Sequence, residues 1–142
     1  FNLSSKNKRL IGEWELEYSQ SSDNNGTTIT VENNEMIQDN NGFVVKTPYS
    51  ATLNLMEDGF FENTLIQGTL PDTIYYLQSW SWLDGSSKKE MIHFGGNSGL
   101  ALNQDYQISK LTKTELWLAV KYEFKNGNYN NFNEAEFRFK KK

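Results

Sequence analysis

The chain has 142 residues, 37% of them hydrophobic and 14% aromatic, with no cysteine, one histidine and a formal charge of −4 from 14 basic and 18 acidic side chains. The missing cysteine excludes disulfide scaffolds, thiolate catalysis and iron–sulfur clusters. His93 alone weighs against a His-rich metal centre or a Ser–His–Asp triad, and the acidic balance weighs against nucleic-acid binding.

Residues 1–142 are long enough to bury a core unaided and are read as a single domain. The first predicted element is a short helix over residues 4–11, opened by capping serines and stopped at Gly12. Strands follow. In the run 12–19, Trp14, Leu16 and Tyr18 share one face and Glu13, Glu15 and Glu17 the other. Further runs rich in β-branched and aromatic residues cover 27–32, 35–38 with 43–47, 50–56, 60–66, 73–83, 89–94, 104–111, 115–125 and 132–140. Ala51, Leu53 and Leu55 repeat the alternation, continued past Asp58-Gly59 by Phe61 and Leu65. Leu116, Leu118, Val120, Tyr122 and Phe124 point one way in a later run, as do Ala135, Phe137 and Phe139 in the last.

Turn chemistry separates these runs. Asn25-Gly26, Asn41-Gly42, Asp58-Gly59, Asp84-Gly85 and Asn126-Gly127 are Asx-Gly pairs, favoured in tight hairpins whose central residues need positive φ. Short runs so divided indicate an antiparallel meander of eight to ten strands. Closure removes exposed edges, so the expected fold is all-β: an up-and-down antiparallel β-barrel of about eight strands with a short N-terminal helix. A flat two-sheet sandwich is the alternative, although it usually needs long Greek-key crossovers and the sequence offers none.

Gly12-Glu13-Trp14, directly after a short helix and opening the first strand, resembles the start of lipocalins and fatty-acid-binding proteins. The closer resemblance is to the bacterial lipocalin-like, calycin-type domains of exported lipoproteins. It rests on that start, on Leu53-Asn54-Leu55-Met56-Glu57-Asp58-Gly59-Phe60-Phe61, on Trp80-Ser81-Trp82, and on the block from Tyr106 through Leu111-Thr112 to Leu116. The resemblance implies that Gly12 turns the chain into the strand and that Trp14 closes the narrow end of the barrel. It also implies that a basic residue of the last strand stacks on that indole, with Arg138 the candidate. It further implies an exported location, periplasmic or at the cell surface, with a membrane tether through a lipid anchor outside this chain. A start at Phe1 rather than Met fits a removed export signal and equally an arbitrary boundary.

The richest stretch is 73–83, where Ile74, Tyr76, Gln78, Trp80 and Trp82 share a face. Lining a cavity, they would offer an aromatic platform with Gln78 as a polar handle, joined by Tyr122 and Phe124. The same rings could simply fill a small barrel. Trp117, on the face assigned to solvent, is a second candidate contact for a carbohydrate or a partner.

Other motifs carry less. From Ser21, Asp23-Asn24-Asn25-Gly26 and Glu32 follow most of a calcium-loop pattern, but Ser21 replaces the first carboxylate and a hairpin explains the residues better. Gly95–Gly99 lacks the Lys-Ser/Thr of a phosphate loop and reads as a loop at the barrel mouth. Glu62, Glu90 and Asp105 have no spacing that marks a glycosidase pair. No cofactor or metal is called for. The reading is therefore non-catalytic binding of a small, partly apolar molecule in the barrel. Its rivals are a packed barrel that engages a protein or glycan, and a calycin-type enzyme.

Overall fold

The computed structural model describes residues 4–22, 26–69, 72–82, 91–97, 102–126 and 129–142, with side chains described for all of these except 4, 5, 72, 96, 97, 102–104, 120–126 and 129–133. Among the described residues one helix precedes ten strands: α1 (Ser4–Leu10), β1 (Gly12–Ser22), β2 (Thr27–Glu32), β3 (Glu35–Asn40), β4 (Phe43–Leu55), β5 (Phe60–Gln67), β6 (Asp72–Trp82), β7 (Met91–Asn97), β8 (Leu102–Leu111), β9 (Glu115–Asn126) and β10 (Tyr129–Lys141). Every strand pairs antiparallel with its sequence neighbour, and β1 pairs with β10, so the sheet closes on itself as an up-and-down ring.

The ring has ten strands where about eight were expected. The difference lies in one insertion. Gly12–Glu15 of β1 pairs directly with Thr52–Leu55 of β4, so that at the helix end β1 and β4–β10 complete the circuit. Towards the other end the β2–β3 hairpin wedges between β1 and β4. Its turn is Asn33-Asn34, with φ of 54° and 60°; asparagine tolerates the left-handed region well enough to do the work of an Asn-Gly pair. Asn41-Gly42 makes the next hairpin, and Asp39 Oδ1 accepts the Gly42 N–H at 2.8 Å.

Pro48 does not split β4 in two, as the separate runs 43–47 and 50–56 had suggested. It sits where the strand changes neighbours, with residues 43–48 paired to β3 and 49–55 to β5, so its missing N–H falls at a break in the ladder. Likewise Gly95-Gly96-Asn97, expected as loop, ends β7. Gly95 passes Ser79 closely, since a Cβ there would lie 2.8 Å from Ser79 Oγ.

The alternation read from sequence sorts inside from outside with one phase change. Trp14, Leu16, Ala51, Leu53, Leu55, Phe61, Leu65, Leu116, Leu118, Ala135 and Phe139 all face the core. In β1, however, the register slips between Leu16 and Tyr18. This bulge turns Ser19 inward and Tyr18 outward, correcting the expectation that Tyr18 follows Trp14 and Leu16.

The helix end is sealed. Leu10 and Trp14 are fully buried, and Trp14 Nε1 donates to the Leu10 carbonyl at 2.8 Å, tying α1 to β1. The cation over the Trp14 ring is Lys141, at 4.4 Å from the centroid, and not Arg138. Alternation along β10 sends Arg138 to the outer face, where it stacks on Trp117 (4.2 Å) and Tyr18 (5.1 Å). Lys141 Nζ also donates to Ile11 O (2.6 Å) and Arg9 O (3.3 Å), meeting carbonyls that the end of α1 leaves open. Gly12 makes this approach possible: its φ is +131°, and a Cβ there would sit 2.7 Å from Lys141 Nζ. Lys141→Met keeps the stem and deletes the charge, and is expected to lower stability by about 1–2 kcal/mol in urea unfolding. An unchanged midpoint would show that the ammonium contributes nothing to closing this end.

Candidate functional site

Aromatic rings fill the middle of the ring of strands. Phe61 meets Phe94 edge-on at 4.9 Å, Phe94 meets Tyr106 at 5.6 Å, Tyr106 meets Phe137 at 5.8 Å, and Phe137 stacks on Phe139 at 6.5 Å. On the far side of this layer from α1, a cavity of about 160 Å³ remains inside the ring. Its apolar lining includes Leu16, Val31, Met36, Ala51, Leu65 and the two rings Phe137 and Phe139. Its polar lining comes from Ser19, Ser21, Tyr49 and Asn63. None of these lining residues carries a charge.

Asn63 is the unusual member. It occupies the inward position between Phe61 and Leu65 on β5 and is 1% exposed. Its Nδ2 donates to the Thr52 carbonyl at 3.0 Å, while its Oδ1 has no hydrogen-bond partner. A buried amide oxygen left unpaired costs on the order of 1–3 kcal/mol. Tyr49 stands on the same wall, and burial together with the neighbouring Tyr76 pushes its phenol above the usual 10.0. It therefore stays uncharged at neutral pH.

The aromatic face of β6 points inward as the alternation implies, with Trp80 buried and Ile74, Tyr76, Gln78 and Trp82 half-buried, but it is not brought together as one platform. Trp80 Nε1 donates to Met56 O at 2.9 Å and Trp82 Nε1 to Asn7 Oδ1 at 2.6 Å. The two indoles meet edge-on at 6.1 Å against the helix end, beyond the aromatic layer from the cavity. Gln78 pairs across from Phe61, and Tyr76 pairs across from Asn63, beside Tyr49. Tyr122 and Phe124 lie on β9 opposite Asn133 and Asn131, and their side chains fall outside the described residues.

The outer face holds the remaining candidates. Trp117 is half-buried beneath two cations, Arg138 and Lys110. Arg138 pairs with Glu136 at 2.8 Å and Lys110 with Glu115 at 2.6 Å. Hollows of about 400 and 880 Å³ lie along this surface and open widely to solvent. His93 Nδ1 contacts Asp105 Oδ1 at 2.6 Å, also on the outer face, since its neighbours Ile92 and Phe94 are the ones buried. Glu62 is engaged elsewhere, and Glu90 and Asp23–Asn25 lie outside the described residues. Among the described residues no group of three or more His, Asp or Glu side chains is placed to hold a metal ion.

Glu62 accepts from Tyr75 Oη at 2.6 Å and from Asn54 Nδ2 at 2.9 Å, and these bonds hold its carboxyl below the ordinary 4.5. A carboxyl pKa lowered by folding adds stability above the unfolded value, lost as pH falls through the folded one. In Tyr75→Phe the larger of the two causes is removed, so the Glu62 midpoint in an NMR titration is expected to rise towards 4.5. An unmoved midpoint would contradict this assignment.

No family model, no curated protein and no solved structure matches this chain.

Proposed function

We propose that this protein is a non-catalytic, lipocalin-like binding barrel that takes a small, partly apolar molecule into its interior. The observation that carries the reading is the cavity of about 160 Å³ inside the ring of strands, with a mainly apolar lining and Ser19, Ser21, Tyr49 and Asn63 as its polar members. Close-packed interiors rarely leave a space of this size unfilled. The bound molecule is accordingly expected beside Asn63 and Tyr49, not on the Trp80–Trp82 pair. With the lipocalin-like reading goes an exported location, which cell fractionation would test.

Native mass spectrometry after incubation with lipid and small-metabolite extracts tests the binding function. A discrete adduct on the wild type, lost when Ala51→Phe fills the cavity, supports it. No adduct with any extract would reject it. Of the two rival readings, the interaction module then has an observation behind it. It is favoured by Phe43, Val44 and Val45 of β4, which are 70%, 49% and 43% exposed on the hairpin with β3.

A further inference from the structure

Apart from the interior, we propose that the outer wall over β5 and β6 docks a partner protein that presents an arginine, flanked by apolar side chains, to Glu62. The alternation that turns Phe61, Asn63 and Leu65 inward leaves Phe60, Glu62 and Ile66 of β5 facing out, beside Tyr75 and Leu77 of β6. The outward face of a half-solvated sheet ordinarily carries polar residues. Here four large side chains stand in water on two adjacent strands, from Ile66 at 40% exposure to Tyr75 at 54%. Grouped apolar exposure of this kind marks an interaction surface.

Charge decides what covers it. Glu62 is the one charged residue at the outward positions of the two strands, and neither strand contains a lysine or arginine. Tyr75 Oη donates to its Oε2 at 2.6 Å and Asn54 Nδ2 to its Oε1 at 2.9 Å, so the carboxylate is held in one orientation while each oxygen keeps a second acceptor site. The same two bonds keep it ionised at neutral pH. A dimple of about 190 Å³ opens beside it, floored by Thr52 and Thr64. Glu13, on the dimple's rim, is already faced by Lys142 at 3.7 Å. A guanidinium answers a fixed carboxylate with two parallel N–H bonds and can stack on a ring such as that of Tyr75. Set within an apolar rim that excludes water, such a pair is the usual form of an interface hot spot. Other occupants fit worse. A second copy docked about a twofold axis here would set Glu62 against Glu62, and a lipid bilayer would bury the carboxylate without a counter-charge.

The test is an NMR titration of the full chain with a blocked pentapeptide, one arginine between two leucines on each side, and with its citrulline counterpart as the neutral isostere. Amide shifts are expected on β4–β6. The citrulline peptide should bind about tenfold more weakly than the arginine peptide, the worth of a charge-assisted pair. Glu62→Gln should weaken the arginine peptide by the same factor and remove the difference between the two. Leu77→Ser should weaken both peptides alike. Both substitutions lie on the outer face, and an unchanged urea midpoint confirms that each variant is folded. Absence of shifts on these strands at millimolar peptide would overturn the proposal. Equal affinity of the two peptides for the wild type, or wild-type affinity in Glu62→Gln, would do the same. A dimer in sedimentation that Leu77→Ser abolishes would assign the face to a second copy instead. Binding to phosphatidylcholine vesicles, lost in the same variant, would assign it to a membrane and equally overturn the protein partner.

Discussion

Trp14→Ala is expected to lower the stability of the protein by about 3–5 kcal/mol, read as a shift of the urea midpoint at unchanged slope. Three losses coincide at this residue. The indole is fully buried, so its removal empties the largest enclosed side-chain volume at the helix end. Its Nε1–H leaves the Leu10 carbonyl, and its ring leaves the Lys141 ammonium 4.4 Å away. A helix of seven residues has no independent stability, so α1 depends on this anchor and on the Trp82–Asn7 bond to stay folded. Trp14→Phe separates the terms. It restores much of the volume without the N–H, and is expected to cost less than half as much. A loss below about 1 kcal/mol in the alanine variant would mean that the helix end is not sealed by Trp14.

How far the sequence spoke can be argued from particular residues. The inward face was legible wherever period-two alternation ran unbroken, as at Ala51-x-Leu53-x-Leu55 and Leu116-x-Leu118, because burial on one side of a strand selects apolar residues at every second position. It failed at Tyr18, because a bulge inserts one residue without a local composition signal and reverses every side chain beyond it. That reversal is also why Ser19 and Ser21, two polar members of the cavity wall, were not anticipated.

Asn63 could have been found. It stands at the alternate position between Phe61 and Leu65, and a polar residue on an otherwise apolar face is the informative exception. The exchange of Arg138 for Lys141 over Trp14 follows from the same parity: Phe137 and Phe139 face inward, so Arg138 cannot. What no local pattern encodes is the β1–β4 pairing that narrows the helix end. Pairing between strands 37 or more residues apart depends on where the inserted hairpin stops.

The second large effect separates packing from binding. Trp80→Ala is expected to cost about 3–4 kcal/mol of stability while leaving in place the adduct that the wild type shows by native mass spectrometry. Trp80 is 8% exposed, its N–H is already committed to the Met56 carbonyl, and its ring braces Trp82 at 6.1 Å. Removing it opens a void at the sealed end and leaves the Met56 carbonyl without that donor. The cavity wall, by contrast, is built from β1–β5 and β10, and the Phe61–Phe94–Tyr106–Phe137 layer stands between the two regions. Sites without shared contacts add independently, so stability and affinity should move separately. Paired measurements of urea unfolding and native mass spectrometry on Trp80→Ala and Ala51→Phe give the decisive pattern. The first variant should lose stability and keep the adduct, and the second should lose the adduct and remain folded. If Trp80→Ala instead abolished the adduct at a temperature where the variant is fully folded, the ligand would lie on the tryptophan pair. The cavity beside Asn63 would then be a packing defect and not a site.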